Sequence, residues 1–209
     1  YLGDTSTKIK QQVKNQGIIS ISEAYELEKA NHLGGSLELI ESQTISSDVA
    51  QVDFTDIKAN IYDVHRLDIV NATSDTDDKD FALRVSVSSS FITASDYHRG
   101  LLSLDNAGNA EDNRATAAAQ MDISRRSGNA TNEKTNARVY IYNAANASLI
   151  THITCHVTSQ RENGNMQMVY GGGAYDQAAA VDGLRIFMDG SGDIATGVFN
   201  LYGIKQWVI

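Results

Sequence analysis

The sequence predicts an all-β protein: a jelly-roll-like antiparallel β-sandwich over residues 35–209, with a short N-terminal helical segment over residues 1–34. Three observations predict it. From Ser36 onward apolar residues recur with a period of two, as in strands that bury one face. The segments between these runs are rich in Asn, Asp, Gly, Ser and Thr, the residues of turns and loops. Proline is absent from all 209 residues, which suits a strand-rich body because proline cannot donate to a sheet ladder.

The N-terminal segment reads differently. "TSTKIKQQVKNQG" is a polar helix candidate and "SISEAYELEKANHLGG" a stronger one. Ser20 and Glu23 have capping-box spacing, in which each side chain satisfies a backbone N–H at the other's position. Gly34-Gly35 ends the helix. Its apolar content is too thin for an independent core, so the segment is expected to pack on something else, as an attachment or oligomer contact.

The strands follow in order. "SLELIES" alternates, as does "VAQVDF" around Val49, Val52 and Phe54. "YDVHRLDIV" places Tyr62, Val64, Leu67 and Ile69 near alternating positions, with one slip that reads as a bulge. "FALRVSVS" puts Phe81, Leu83, Val85 and Val87 on one face, and Ala82, Arg84 and Ser86 on the other. "ARVYIYN" and "LITHITCHV" repeat the theme, while "NATSDTDDKD", "DNAGNAEDNRAT" and "RRSGNATNEKTN" read as loops. This gives about ten strand candidates at roughly fifteen-residue spacing, the pattern of a two-sheet sandwich or barrel.

At the C-terminal end "DGSGD" (residues 189–193) reads as a five-residue hairpin loop. Leu184, Ile186 and Met188 share a face before it. After it Ile194, Val198, Tyr202 and Ile204 share one face, and Phe199 and Leu201 the other. Gly197 and Gly203 join that second face, which implies close packing there.

Composition narrows the function classes. The chain is 42% hydrophobic and 21% charged, with a net charge of −9. Nucleic-acid binders carry a basic face, because affinity follows the cations set against phosphates; the largest Lys/Arg cluster here is the pair Arg125-Arg126. No nucleic-acid partner is expected. No apolar run approaches the roughly 20 residues of a membrane-spanning helix, so no membrane insertion is expected, and no secretory leader pattern is visible. The one cysteine, Cys155, leaves no room for an intramolecular disulfide framework or a Cys-rich zinc site.

Several groups invite chemistry. Asp189, Ser191 and Asp193 could offer oxygens to calcium at alternate positions. An EF-hand loop counted from Asp189, however, needs glycine where Ile194 stands and glutamate where Asn200 stands. Asp75, Asp77, Asp78 and Asp80 form a second acidic run, which suits a solvated hairpin tip better than a metal site. His152 and His156 share a strand face but lie about 13 Å apart at strand rise, too far for one zinc; they read as surface or interface residues. There is no nucleophile elbow, no H-E-x-x-H and no P-loop. Gly171 to Gly173 read as a turn or a close backbone approach. No cofactor is implied and no enzyme is expected. Tyr140, Tyr142, Tyr170 and Trp207 are available as faces for sugar rings, making a host-surface glycan an alternative partner.

Two passages carry a resemblance. "VDFTDIKANIYDVHRLDIVNATSDTDDKDFALRVSVS" (residues 52–88) and "VDGLRIFMDGSGDIATGVFNLYGIK" (residues 181–205) resemble the β-sandwich structural proteins of tailed-bacteriophage virions. In that family a Tyr-Asp-…-Arg-Leu progression and a closing Tyr-Gly-Ile-Lys recur. The resemblance implies a fibre, external appendage or capsid decoration protein on the virion surface. It implies assembly as a homo-oligomer, commonly a trimer. The N-terminal segment, which lies outside the resemblance, would then dock to other virion proteins of the capsid, neck or tail.

Overall fold

Alternating burial governs the backbone from Leu37 to Ile204. A computed structural model describes Ser22, Tyr25, Glu26 and residues 36–205. The chain divides into two compact units, Tyr1–Glu38 and Leu39–Ile209. In the first, Ser22, Tyr25 and Glu26 have helical backbone; the Ser20–Glu23 capping box lies outside the described residues.

Thirteen strands are formed among the described residues: β1 (Leu37–Ile45), β2 (Gln51–Phe54), β3 (Val64–Ser74), β4 (Phe81–Val87), β5 (Ser90–Phe91), β6 (Tyr97–Asp105), β7 (Ala110–Ala118), β8 (Met121–Asp122), β9 (Thr135–Tyr142), β10 (Thr151–Gln160), β11 (Met166–Tyr175), β12 (Gly183–Met188) and β13 (Ile194–Ile204). They make an eight-stranded sheet in the order β1-β13-β3-β9-β10-β11-β6-β7 and a five-stranded sheet in the order β2-β12-β4-β5, with β8 paired to β4. The pairings for which registers are resolved are antiparallel. The expectation of an all-β antiparallel protein therefore holds.

One hydrophobic core joins both sheets. Leu67, Ile69, Val139, Ile141, Ile153, Val157, Val169, Phe199 and Leu201 come from the larger sheet, and Val52, Phe54, Leu83, Val85, Leu184 and Ile186 from the smaller. The alternation explains the result: in β10 every second residue from Thr151 to Ser159 is buried and those between are exposed. A sheet with one face on the core and one in water has this pattern.

The two sheets treat their outer faces differently. On the five-stranded sheet the Arg84 guanidinium lies 4.4 Å over the Phe187 ring and Arg185 lies 4.0 Å over Phe91. Arg84 also donates to the Ala119 carbonyl at 3.0 Å. Arg185 grips Asp53 with two hydrogen bonds of 2.7 Å. That face is closed by its own side chains, and Ala82 and Ser86, expected on the outer face, are buried.

Five expectations change. Residues 110–116, read as part of a loop, belong to strand β7; it lies at the sheet edge, where a polar, alanine-rich strand needs no buried face. Gly171 to Gly173 lie inside β11 rather than in a turn. A Cβ on them would fall 2.2 Å from the Gly100 carbonyl oxygen, 2.5 Å from that of Ile153 and 2.0 Å from that of His98. The close backbone approach is real. The slip in "YDVHRLDIV" is not a break in the strand: Val64 to Ile69 pair with β9 in unbroken register, and the buried His65, not Val64, takes the inward position before Leu67. The bulge falls later, between Ile69 and Ala72. Ile194 sides with Phe199 and Leu201 in the core, because two register shifts intervene before Val198.

The fifth change concerns "DGSGD". β12 belongs to the smaller sheet and β13 to the larger, so residues 189–193 are a corner between sheets, not a hairpin. The acidic run 75–80 is likewise the corner between β3 and β4. The glycines beyond the corner accept neighbours: a Cβ on Gly203 would meet the Tyr62 ring at 2.2 Å, and one on Gly197 the Ala72 methyl at 2.8 Å.

Candidate functional site

Two regions concentrate polar side chains, the corner and the outer face of the eight-stranded sheet. At the corner the two acidic loops lie side by side. The Asp75 N–H donates to the Asp193 carbonyl at 3.0 Å, and the Asp193 N–H to the Asp75 carboxylate at 2.7 Å. The Asp189 N–H donates to the Asp80 carbonyl at 2.8 Å. A solvent-open hollow of about 380 Å³ is lined by Asp78, Lys79, Asp80, Arg125, Arg126, Asp189 and Gly190.

The carboxylates at the hollow are already engaged. Asp80 accepts from Arg125 Nη1 at 2.7 Å and from the Arg126 N–H at 2.6 Å. Asp78 accepts from Arg126 Nε at 3.2 Å. Asp189 accepts from Gln120 Nε2 at 2.7 Å. Beyond them Arg161, whose side chain is 4% exposed, spans Asp105 and Glu111, each at 3.2 Å. Burial pushes the Asp80 carboxyl above its ordinary range, against the pull of the Arg126 N–H and the Arg125 charge. The Asp193 N–H, then the Thr76 hydroxyl, hold Asp75 below its ordinary range. Among the described residues, no group of three or more His, Cys, Asp or Glu is placed to hold a metal ion. The calcium candidates Asp189 and Asp193 thus serve the corner through hydrogen bonds, and Ser191 is exposed beside them.

The outer face of the larger sheet is built by register. One row runs Asn200 (β13), Asp68 (β3), Arg138 (β9), His156 (β10), Tyr170 (β11) and Leu102 (β6). The next row runs Tyr202, Arg66, Tyr140, Thr154, Gly172 and Gly100. Tyr142 and His152 pair in the row beyond. The tyrosine candidates therefore do share one face. Tyr140 and Tyr142 stack with ring centroids 6.2 Å apart and planes inclined by 23°, and Tyr170 is 39% exposed. Trp207 lies outside the described residues. His152 and His156 are exposed on this same face.

A depression of about 250 Å³ opens where β3 bulges away from β9, lined by Asp68, Ile69, Val70, Asn136, Ala137, Arg138, His156 and Thr158. Asn71 makes the bulge, with φ of 51°, in the left-handed region that asparagine tolerates better than most residues. Its N–H donates to Asn136 Oδ1 at 3.0 Å, which fixes the amide's orientation. Asp68 accepts from Arg66 Nη2 at 2.7 Å and more weakly from Arg138 Nε at 3.4 Å. Arg66 itself lies 4.9 Å over the Tyr202 ring. Among the described residues, the side chains of His156 and Thr158 and the terminal nitrogens of Arg138 make no hydrogen bond.

Sequence reasoning singled out the tyrosines and His156 but missed Asp68, Asn136 and Arg138. The signal lies in the structure. Buried positions in β3 are 65, 67 and 69 and then 72, and such a change of parity marks a bulge that re-aims its neighbours. Cys155 is on the opposite, core face, where burial pushes its thiol up to about 12; it behaves as a small hydrophobe.

No protein-family model, no curated protein and no solved structure matches this chain.

Proposed function

We propose that this chain is a structural, non-catalytic component of a tailed-bacteriophage particle, exposed on its surface as a fibre, appendage or decoration protein and docked through residues 1–34. One observation carries the reading. The two passages that resemble virion proteins, residues 52–88 and 181–205, lie about ninety residues apart in sequence yet form one structural unit. β3 pairs with β13, β4 pairs with β12, and the loops between them bond across the corner. The resemblance thus falls on a single antiparallel ribbon that passes from one sheet to the other. A ribbon folded over in this way is how a jelly roll is wound, which supports that finer description of the fold.

The net charge of −9 opposes contact with packaged DNA and favours an external position. The homotrimer rests on the resemblance alone. Quantitative mass spectrometry of purified particles of the encoding phage tests the reading. It predicts many stoichiometric copies, reactive with antibody on intact particles; absence from the particle contradicts it. The exposed Tyr170 and the half-buried Tyr140 and Tyr142 on the outer face of the larger sheet favour a second role on the same surface, contact with a host glycan.

A further inference from the structure

We infer that the depression at the β3–β9 bulge is a binding site for one neutral pyranose unit of a polysaccharide. The inference deepens the glycan-contact reading and does not depend on the chain being part of a virion.

The depression and Tyr170 on the strand beside it together offer four properties a sugar ring requires. It holds an oriented acceptor, because Arg66 fixes Asp68 at 2.7 Å. It holds an oriented amide, because the bulge N–H of Asn71 occupies Asn136 Oδ1 and leaves the Nδ2 donors to a ligand. It offers unengaged groups on Arg138, His156 and Thr158. Finally, Tyr170 is directly paired with His156 across the β10–β11 ladder and is 39% exposed. Adjacent hydroxyls each donate and accept one hydrogen bond, so they suit a carboxylate beside a guanidinium. The apolar face of the ring suits an exposed aromatic.

Size and charge select within the sugars. Pockets that bury drug-sized ligands measure roughly 300–1,000 Å³, and about 250 Å³ admits a single ring instead. The lining pairs Asp68 with Arg138, so it is the net charge of −9 that disfavours a polyanion, since long-range repulsion slows its approach. The platform is rigid at its base, being three paired strands rather than a loop, and that limits the ordering cost of binding.

The test is binding of the full chain to an array of neutral oligosaccharides built from glucose, galactose and N-acetylglucosamine, with heparin as the polyanionic control. Hits are then titrated against Arg138→Ala, Asp68→Asn and Tyr170→Ala. Arg138 and Tyr170 are exposed, so these two variants keep the fold, checked by a melting temperature within about 2 °C of wild type. The expected result is a neutral hit, no heparin binding, and affinity weakened about tenfold or more in each variant. If wild type binds nothing on the array and no heparin, both this site and the glycan-contact reading are overturned; if it binds heparin in preference, the neutral site is overturned while glycan contact stands. If it binds a neutral sugar that all three variants bind equally well, the site is overturned while glycan contact stands.

Discussion

Arg161 and Arg138 both face carboxylates on the eight-stranded sheet, yet their side chains are 4% and 55% exposed. Arg161 is enclosed with Asp105 and Glu111 beside the corner, its two terminal nitrogens each bonded. Arg138 touches one carboxylate through Nε and projects from the open face. The same chemistry serves two purposes. At the corner, charged groups pair through their terminal atoms, with Arg125 Nε, Arg161 Nε and Glu162 Oε2 buried and without a hydrogen bond, and clasp loops that carry the chain between sheets. On the face, comparable groups are held in place from behind and left available in front. Counting charges separates neither case; asking which polar atoms are already bonded separates them at once.

A large effect comes from the backbone that supports the face. A methyl on Gly173 would lie 2.0 Å from the His98 carbonyl oxygen and 2.7 Å from Met121 Sδ, and a carbonyl in a paired strand cannot move aside. Gly173→Ala is expected to cost about 3 kcal/mol, read by chemical denaturation. Gly100 lies opposite Gly172 on the neighbouring strand, and a Cβ there would meet nothing within 4 Å. Gly100→Ala is expected to be neutral or slightly stabilising. Equal losses from the two would mean the strands do not approach as described.

Acid sharpens the corner's side of the comparison. Asp75 lies below its ordinary value of 3.8 in the folded chain. Its contribution is therefore present above pH 3.8 and lost as pH falls through the lower folded value. Asp80 lies above 3.8, so its sign is opposite: its contribution improves as pH falls through the raised value. Asp75→Asn should flatten the loss of stability between pH 5 and pH 2, and Asp80→Asn should steepen it. Denaturation curves across that range decide the matter; identical slopes for the two variants contradict the assignment of partners.

A smaller expectation concerns calcium. Because Asp75, Asp78, Asp80 and Asp189 are bonded to protein donors, millimolar calcium should leave the melting temperature within about 1 °C of its value in chelator. A rise of several degrees would return the corner to the class of metal sites.

How much was legible in the sequence depended on whether a signal was local. The alternation of β10 and β9 gave the buried face directly, since each strand reports its own period. The closing segment shows the limit. "DGSGD" between two apolar runs has the composition of a hairpin, and nothing local says that β12 and β13 enter different sheets. That is fixed by pairing with β4 and β3, more than a hundred residues earlier. β7 was missed for the converse reason: an edge strand without a buried face carries no alternation to read. On the candidate site, the tyrosines were visible as residues and their common face was not, because a face is a property of register, here across the three strands β9, β10 and β11. The acid–arginine corner was invisible for the same reason, with Asp80 and Arg126 joined only by the fold.

Side-by-side calorimetry of Arg161→Ala and Arg138→Ala tests the central distinction most directly. Removing Arg161 leaves the enclosed Asp105 carboxylate without its charged partner, which lowers the melting temperature by about 6–15 °C. Removing Arg138 breaks one weak, exposed contact and lowers it by less than about 2 °C. Comparable losses from the two variants would contradict the account, because the face would then be structural in the same sense as the corner.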